Sequence, residues 1–291
     1  MVTVYNSTFR TGLDKISEDV YYCLHTANAS LLQLNLYHMS TLGQIILFTS
    51  LGSVVSLLGG IILLYKKEWA TKLSSPLAAF AAGTLLGTAF LDLLPEAVEA
   101  AEESLTSVSS IFFWALIGIL IFFLLERFIH WFHHHHEHIG EIKKPTGTLI
   151  LLGDSVHNFI DGVAIAITFM INPALGVVTT LAVGAHEIPQ EIGDFGILLK
   201  AGYSRKKVLW YNIFSACAAL AGALLTYLIG PSIAGSLPAL LAVTAGFFIY
   251  IAASDLIPEI HAWGTKKLAV IESILLITGV TVVGILVRLL E

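Results

Sequence analysis

An all-α polytopic membrane protein is the fold class this sequence predicts, with eight transmembrane helices in a 3+2+3 arrangement built on inverted repeats. Three observations carry that reading: composition, the number of long apolar stretches, and an internal duplication. Of 291 residues, 56% are hydrophobic and only 12% are charged, with a mean hydropathy of +0.82. A soluble domain is nearer about 25% charged. Two cysteines, Cys23 and Cys217, exclude a disulfide scaffold and a cysteine-based zinc ribbon. A net charge of −6 offers no basic surface for nucleic acid.

The elements follow in chain order. Residues 1–43 mix Asn, Ser, Thr, Asp and Lys with scattered Leu and Tyr and lack the pattern of a signal peptide, so they read as a tail outside the bundle. Residues 44–291 form the transmembrane transport domain. Crossing a bilayer takes roughly 20 apolar residues as helix. Eight stretches supply them: 44–65, 74–95, 109–130, 147–171, 174–199, 208–230, 237–258 and 268–289. None has the roughly ten-residue alternation of a membrane barrel strand. The short links between spans predict one compact bundle.

Basic residues orient the bundle. With the N-terminus outside, inner loops hold Lys66, Lys67, Lys72, Arg127, Lys143, Lys144, Lys200, Arg205, Lys206, Lys207, Lys266 and Lys267, twelve of the fifteen Lys and Arg. The link after the second span, with Glu96, Glu99, Glu102 and Glu103, then lies outside. Both termini are extracytoplasmic in this reading, and the membrane is the plasma (cell inner) membrane.

The second and seventh spans match at an offset of 163 residues: Ala82-Gly83 with Ala245-Gly246, and Asp92-Leu-Leu-Pro95-Glu96 with Asp255-Leu-Ile-Pro258-Glu259. An offset of five helices is odd, so the copies would sit inverted. Secondary transporters are commonly built this way, with the site near the midplane between the repeats.

The two unpaired central spans carry the chemistry. The fourth contains Asp154, His157, Asn158 and Asp161 in GDSVHNFIDG, and the fifth contains His186, Glu187, Gln190, Glu191 and Asp194 in AHEIPQEIGDFG. His157 and Asp161 stand at i and i+4, on one helix face. One charge at a membrane centre costs about 2.5–3.5 kcal/mol, so these side chains must face one another, water or a cation. Imidazole with carboxylate and amide oxygen suits Zn²⁺ and admits Mn²⁺ or Fe²⁺. A buried polar network pinning two helices, or a proton relay, would use the same residue types. Pro189 denies the Ala185 carbonyl its helical partner, which predicts a kink beside His186.

HNFIDG followed about thirty residues later by HEIPQEIGDFG resembles the signature of the ZIP (Zrt-, Irt-like protein) family of metal transporters, and the resemblance extends over residues 44–291. It implies divalent metal transport toward the cytoplasm by alternating access, on a site of His157, Asn158, Asp161, His186, Glu187, Gln190 and Glu191. Gln190 stands where many eukaryotic members have histidine. An amide oxygen binds zinc more weakly than imidazole, so Fe²⁺, Mn²⁺ and Cd²⁺ join Zn²⁺ as expected substrates.

The expected partners are the metal ions, the lipid bilayer and a second copy in a homodimer, with no organic cofactor. Two other readings compete. HEIPQE begins like the HExxH of a zinc metalloprotease, though Gln190 replaces the second histidine. A cation-efflux transporter would also pair His and Asp on helices.

The acids at the helix ends read as mouths of a path: Asp92 and Glu96 as the entrance, and Asp255, Glu259 and His261 as the exit. The loop at about 131–146 holds His133, His134, His135, His136 and His138, a compositional metal-binding signal. No Walker-type GxxxxGK[ST] run occurs, so the chain lacks that nucleotide-binding motif.

Overall fold

The computed structural model describes residues 39–65, 67–103, 107–134, 146–200, 202–262 and 266–290. All but the last five residues of the expected tail 1–43, and most of the loop 131–146, lie outside the described residues. The described chain is helical, without strands. In order it comprises α1 (Thr41–Tyr65), α2 (Lys67–Thr88), a π-helical turn π1 (Ala89–Leu93), α3 (Leu94–Glu103), α4 (Val108–His134), α5 (Thr146–Ile171), α6 (Pro173–Lys200) and α7 (Arg205–Ile233). A 3₁₀ turn (Ala234–Ser236) leads to α8 (Leu237–Tyr250), π2 (Ile251–Leu256), α9 (Ile257–Ala262) and α10 (Lys266–Leu290). Because α2–π1–α3 and α8–π2–α9 each run on as one rod, there are eight rods where eight spans are expected.

Seven of the rods are long and apolar enough to cross a membrane. The exception by composition is α6, whose 28 residues reach about 42 Å at 1.5 Å per residue. It has the length, and it carries His186, Glu187, Glu191 and Asp194 on one rod. The kink expected at Pro189 does not interrupt it: α6 is helical on both sides of the proline.

Prolines account for the π turns. Pro95 and Pro258 have no N–H for the carbonyls of Leu91 and Ser254 four residues earlier, and a wider turn accommodates the loss. The five-residue bonds are Leu94 N–H to the Ala89 carbonyl and Ile257 N–H to the Ala252 carbonyl.

Packing joins α1 to α6, α5 to α7, α2 to α10 and α4 to α8, while α6 also lies against α2 and α5. Small residues let membrane helices approach backbone to backbone. A Cβ on Gly83 would fall 2.0 Å from the Leu276 carbonyl oxygen of α10, and one on Gly279 2.3 Å from that of Phe80. The α4–α8 crossing uses the same device, with Gly246 against Ala115 (2.2 Å) and Gly118 against Val243 (2.3 Å). Large apolar side chains on α4 and α10, including Phe112, Phe113, Leu120, Ile274 and Ile277, face outward, as a lipid-facing surface requires.

Candidate metal centre

The centre lies where α5 and α6, an antiparallel pair linked through Asn172, face each other. His157 and Asp161 come from one face of α5, and His186 and Glu187 from α6. Each offers one ligand atom, and all four atoms lie within 4.8 Å of one another. The His157 and His186 Nε2 atoms are 3.1 Å apart. Asp161 Oδ2 is 3.3 Å from His186 Nε2 and 3.7 Å from His157 Nε2, and Glu187 Oε1 is 3.6 and 3.8 Å from the His157 and His186 nitrogens.

Those separations have a simple reading. Ligand atoms about 2.0–2.1 Å from a tetrahedral ion stand roughly 3.3 Å from one another. Asp161 Oδ2 and both Glu187 oxygens are buried without a hydrogen-bond partner, and buried polar atoms otherwise find one. Four donors converging on one point, three of their oxygens unsatisfied, fit a divalent cation as substrate.

Local packing orients the ring nitrogens. His186 Nδ1 lies 3.1 Å from the Ala182 carbonyl one turn earlier. A carbonyl only accepts, so Nδ1 carries the proton and the neutral ring turns its Nε2 lone pair toward Asp161. The Phe122 ring of α4 packs edge-on against His157 with centroids 5.6 Å apart, and Phe248 of α8 stands 6.3 Å from His186. Aromatic walls from the flanking helices thus hold both imidazoles.

The other expected ligands fall elsewhere. Asn158 is buried, but its amide donates to the Asp154 carboxylate at 3.0 Å and carbonyl at 3.2 Å. Gln190 lies beside that same carboxylate. Glu191 is buried, one turn past Glu187, and does not belong to the four-residue group. Asp92 is buried in π1 and Glu96 half-buried on α3; Asp255 is exposed in π2, accepting from the Ser254 hydroxyl at 2.9 Å, and His261 is exposed on α9. The side chains of Glu259, His133 and His134, and residues His135, His136 and His138 entirely, lie outside the described residues.

Two polar pairs escaped the sequence reading. Tyr250 of α8 donates to Glu126 of α4 at 2.5 Å, and the Ser75 hydroxyl of α2 donates to the buried Glu272 of α10. The signal for the second was present: Glu272 is a lone carboxylate inside an apolar span.

Comparison with known proteins points the same way. The family model "ZIP Zinc transporter" matches residues 41–148 and 143–287. Zinc transporter ZIP10 of Homo sapiens is 38% identical over 157 residues, covering 50% of this chain and 19% of that protein. The zinc transporter ZIP13 homolog of Drosophila melanogaster is 29% identical over 318 residues, covering 84% of this chain and 89% of its own. Zinc transporter ZIP13 of Pongo abelii is 34% identical over 200 residues, 63% of this chain and 58% of that one. The match thus spans about a fifth of the ZIP10 relative and most of the Drosophila one.

Proposed function

The chain belongs to the ZIP zinc transporter family, and from that premise we propose that it carries divalent transition-metal ions, Zn²⁺ foremost and Fe²⁺, Mn²⁺ and Cd²⁺ besides, across the membrane toward the cytoplasm. The observation that carries the proposal is the four-residue group His157, Asp161, His186 and Glu187, converging within 4.8 Å on two helices. The relatives are named zinc transporters. A hydrolytic role for HEIPQE is disfavoured: Glu187 lies among the four donors, and Gln190 lies with Asp154 instead.

Alternating access through inverted repeats in a 3+2+3 arrangement is part of the same proposal. The 163-residue offset relates the two π-type hydrogen bonds, Leu94 to Ala89 and Ile257 to Ala252. It also relates the helix crossings, since Gly83 and Phe80 of α2 correspond to Gly246 and Val243 of α8, each against an equivalent glycine-bearing helix. Ser53 approaches the carbonyl of Ala216, its own counterpart at 163, to 3.5 Å, as happens beside a two-fold axis. On this reading α5 and α6 carry the ion and slide or rock against the flanking repeats.

The path runs from Asp92 and Glu96 at the outer mouth, through the centre, to Asp255, Glu259 and His261 inside. Asn158, Gln190 and Glu191 line it, and the histidines of loop 131–146 buffer released metal. Residues 1–43 form an extracytoplasmic tail, both termini are outside, and the protein works in the plasma membrane as a homodimer. The test is Zn²⁺ and Mn²⁺ entry into sealed proteoliposomes, read by an internal dye. Saturable entry that disappears in His157→Ala/His186→Ala supports the proposal; entry unchanged in that variant overturns it.

A further inference from the structure

Five acids lie with two histidines on α5 and α6, four of them buried and Asp194 half-buried, yet the centre uses only two. Asp154 precedes His157 by about one turn on α5, and Glu191 and Asp194 follow Glu187 on α6. Because the helices are antiparallel, all three fall on the same side of the centre, toward the end where α5 begins and α6 finishes. We infer that Asp154, Glu191 and Asp194 form a second cation station, made of oxygen ligands alone and suited to a hard divalent ion that keeps part of its water shell.

Glu191 carries the argument. Its side chain is 0% exposed and neither carboxylate oxygen has a hydrogen-bond partner among the described residues. A buried carboxylate left unsatisfied is costly. The charged groups within its range are Asp154 and Asp194, both of its own sign. Mutually repelling carboxylates in an apolar interior call for a cation among them.

Neutral oxygens complete the chamber. Asp154 accepts from the Asn158 amide at 3.0 Å and neighbours Gln190 and Ser215. Asn158 and Ser215 also touch, at 3.5 Å. No imidazole takes part, since both ring Nε2 atoms turn to the centre above. The three carboxylates do not converge as tightly as the four centre ligands, which leaves room for water between ion and protein. Oxygen ligands with retained water suit Mn²⁺ or Mg²⁺ better than Zn²⁺. A zinc ion leaving the nitrogen-bearing centre would be held here only weakly, which favours release. The order in which an ion meets the two stations rests on the transport proposal; the existence of the station does not.

The test is Mn²⁺ binding to the purified full chain, followed by electron paramagnetic resonance with pulsed detection of ligand nitrogen. In one arm the chain is saturated with Zn²⁺ before Mn²⁺ is added. In the other, His157→Ala and His186→Ala remove the centre, and His133, His134, His135, His136 and His138 are changed to Ser. The expected result in both arms is one bound Mn²⁺ per chain without nitrogen coupling, with affinity lowered at least about tenfold by Glu191→Gln. Bound Mn²⁺ that couples to nitrogen, no bound Mn²⁺ in either arm, or binding indifferent to Glu191→Gln would each overturn the station. The Zn²⁺-loaded arm needs no centre variant, so a poorly folding variant does not spoil it. Proteoliposome uptake tests transport separately.

Discussion

The Nε2 atoms of His157 and His186 face each other at 3.1 Å, with ring planes 67° apart. His186 already carries its proton on Nδ1, bonded to the Ala182 carbonyl, so its Nε2 is an acceptor. Without an ion, His157 must therefore supply the proton between them, from Nε2. With an ion, His157 needs a free Nε2 lone pair and must move that proton to Nδ1. Histidine-labelled ¹⁵N NMR is expected to find an Nε2–H tautomer for His157 in metal-free protein and an Nδ1–H tautomer after Zn²⁺ is added. His186 should keep Nδ1–H throughout. A His157 tautomer unchanged by zinc would deny it the role of ligand.

Asp161 and Glu187 are both 2% exposed and bring the negative charge of the centre. Loss of a group that merely orients a metal ligand costs about 10–100-fold in affinity, and a ligand should cost at least as much. Asp161→Asn and Glu187→Gln keep the volume while removing the charge. Each is expected to weaken Zn²⁺ binding by at least about tenfold, measured by competition with a chelating dye. Asp255→Asn, at an exposed position in π2, should leave affinity at the centre within about twofold, since exposed charges interact weakly.

Protons compete with metal for imidazole and carboxylate. An unperturbed histidine titrates near about 6.5, and two histidines serve the centre. As pH falls through that range, each binding event must release up to two protons. Zn²⁺ affinity should be nearly level from pH 8 to 7 and fall below about pH 6, by as much as roughly two log units per pH unit. Isothermal titration in buffers of different ionisation enthalpy would count the protons released. A flat profile between pH 8 and 5 would remove the histidines from the binding step.

The rods were legible because membrane spans are written in length and hydropathy. α5 and α6 begin and end within one residue of their expected bounds, since a charge or a Pro-containing link stops each run. The centre was legible in part. Spacing along one helix puts His157 above Asp161, but which residues of α6 meet them depends on the rotation of one helix about the other. Hence Gln190 and Glu191 were grouped with the histidines, whereas the structure turns them toward Asp154. The π turns were hidden for another reason: an Asp-x-x-Pro run reads as the end of a helix, and here the widened turn lets the helix continue past Pro95 and Pro258. The contacts of Ser75 with Glu272 and Tyr250 with Glu126 cross between helices more than a hundred residues apart, a separation that periodicity cannot bridge.

Backbone approach at the glycines sets how α5 and α7 are held together. A Cβ on Gly162 would sit 1.8 Å from the Ala219 carbonyl oxygen, and one on Gly222 2.1 Å from that of Phe159. Both obstacles are backbone, which no rotamer change relieves, so the helices must separate to admit even a methyl group. Overpacking of this kind costs about 1–3 kcal/mol. Moving α5 also shifts His157 and Asp161 away from α6. Gly162→Ala is therefore expected to lower both the melting temperature in detergent and Zn²⁺ affinity. A Cβ on Gly193 of α6 would meet nothing within 4 Å, and alanine is the better helix former by about 1 kcal/mol. Gly193→Ala should accordingly leave the melting temperature unchanged or raise it. Equal behaviour of the two variants would mean that the α5–α7 contact tolerates separation and does not fix the spacing of the centre.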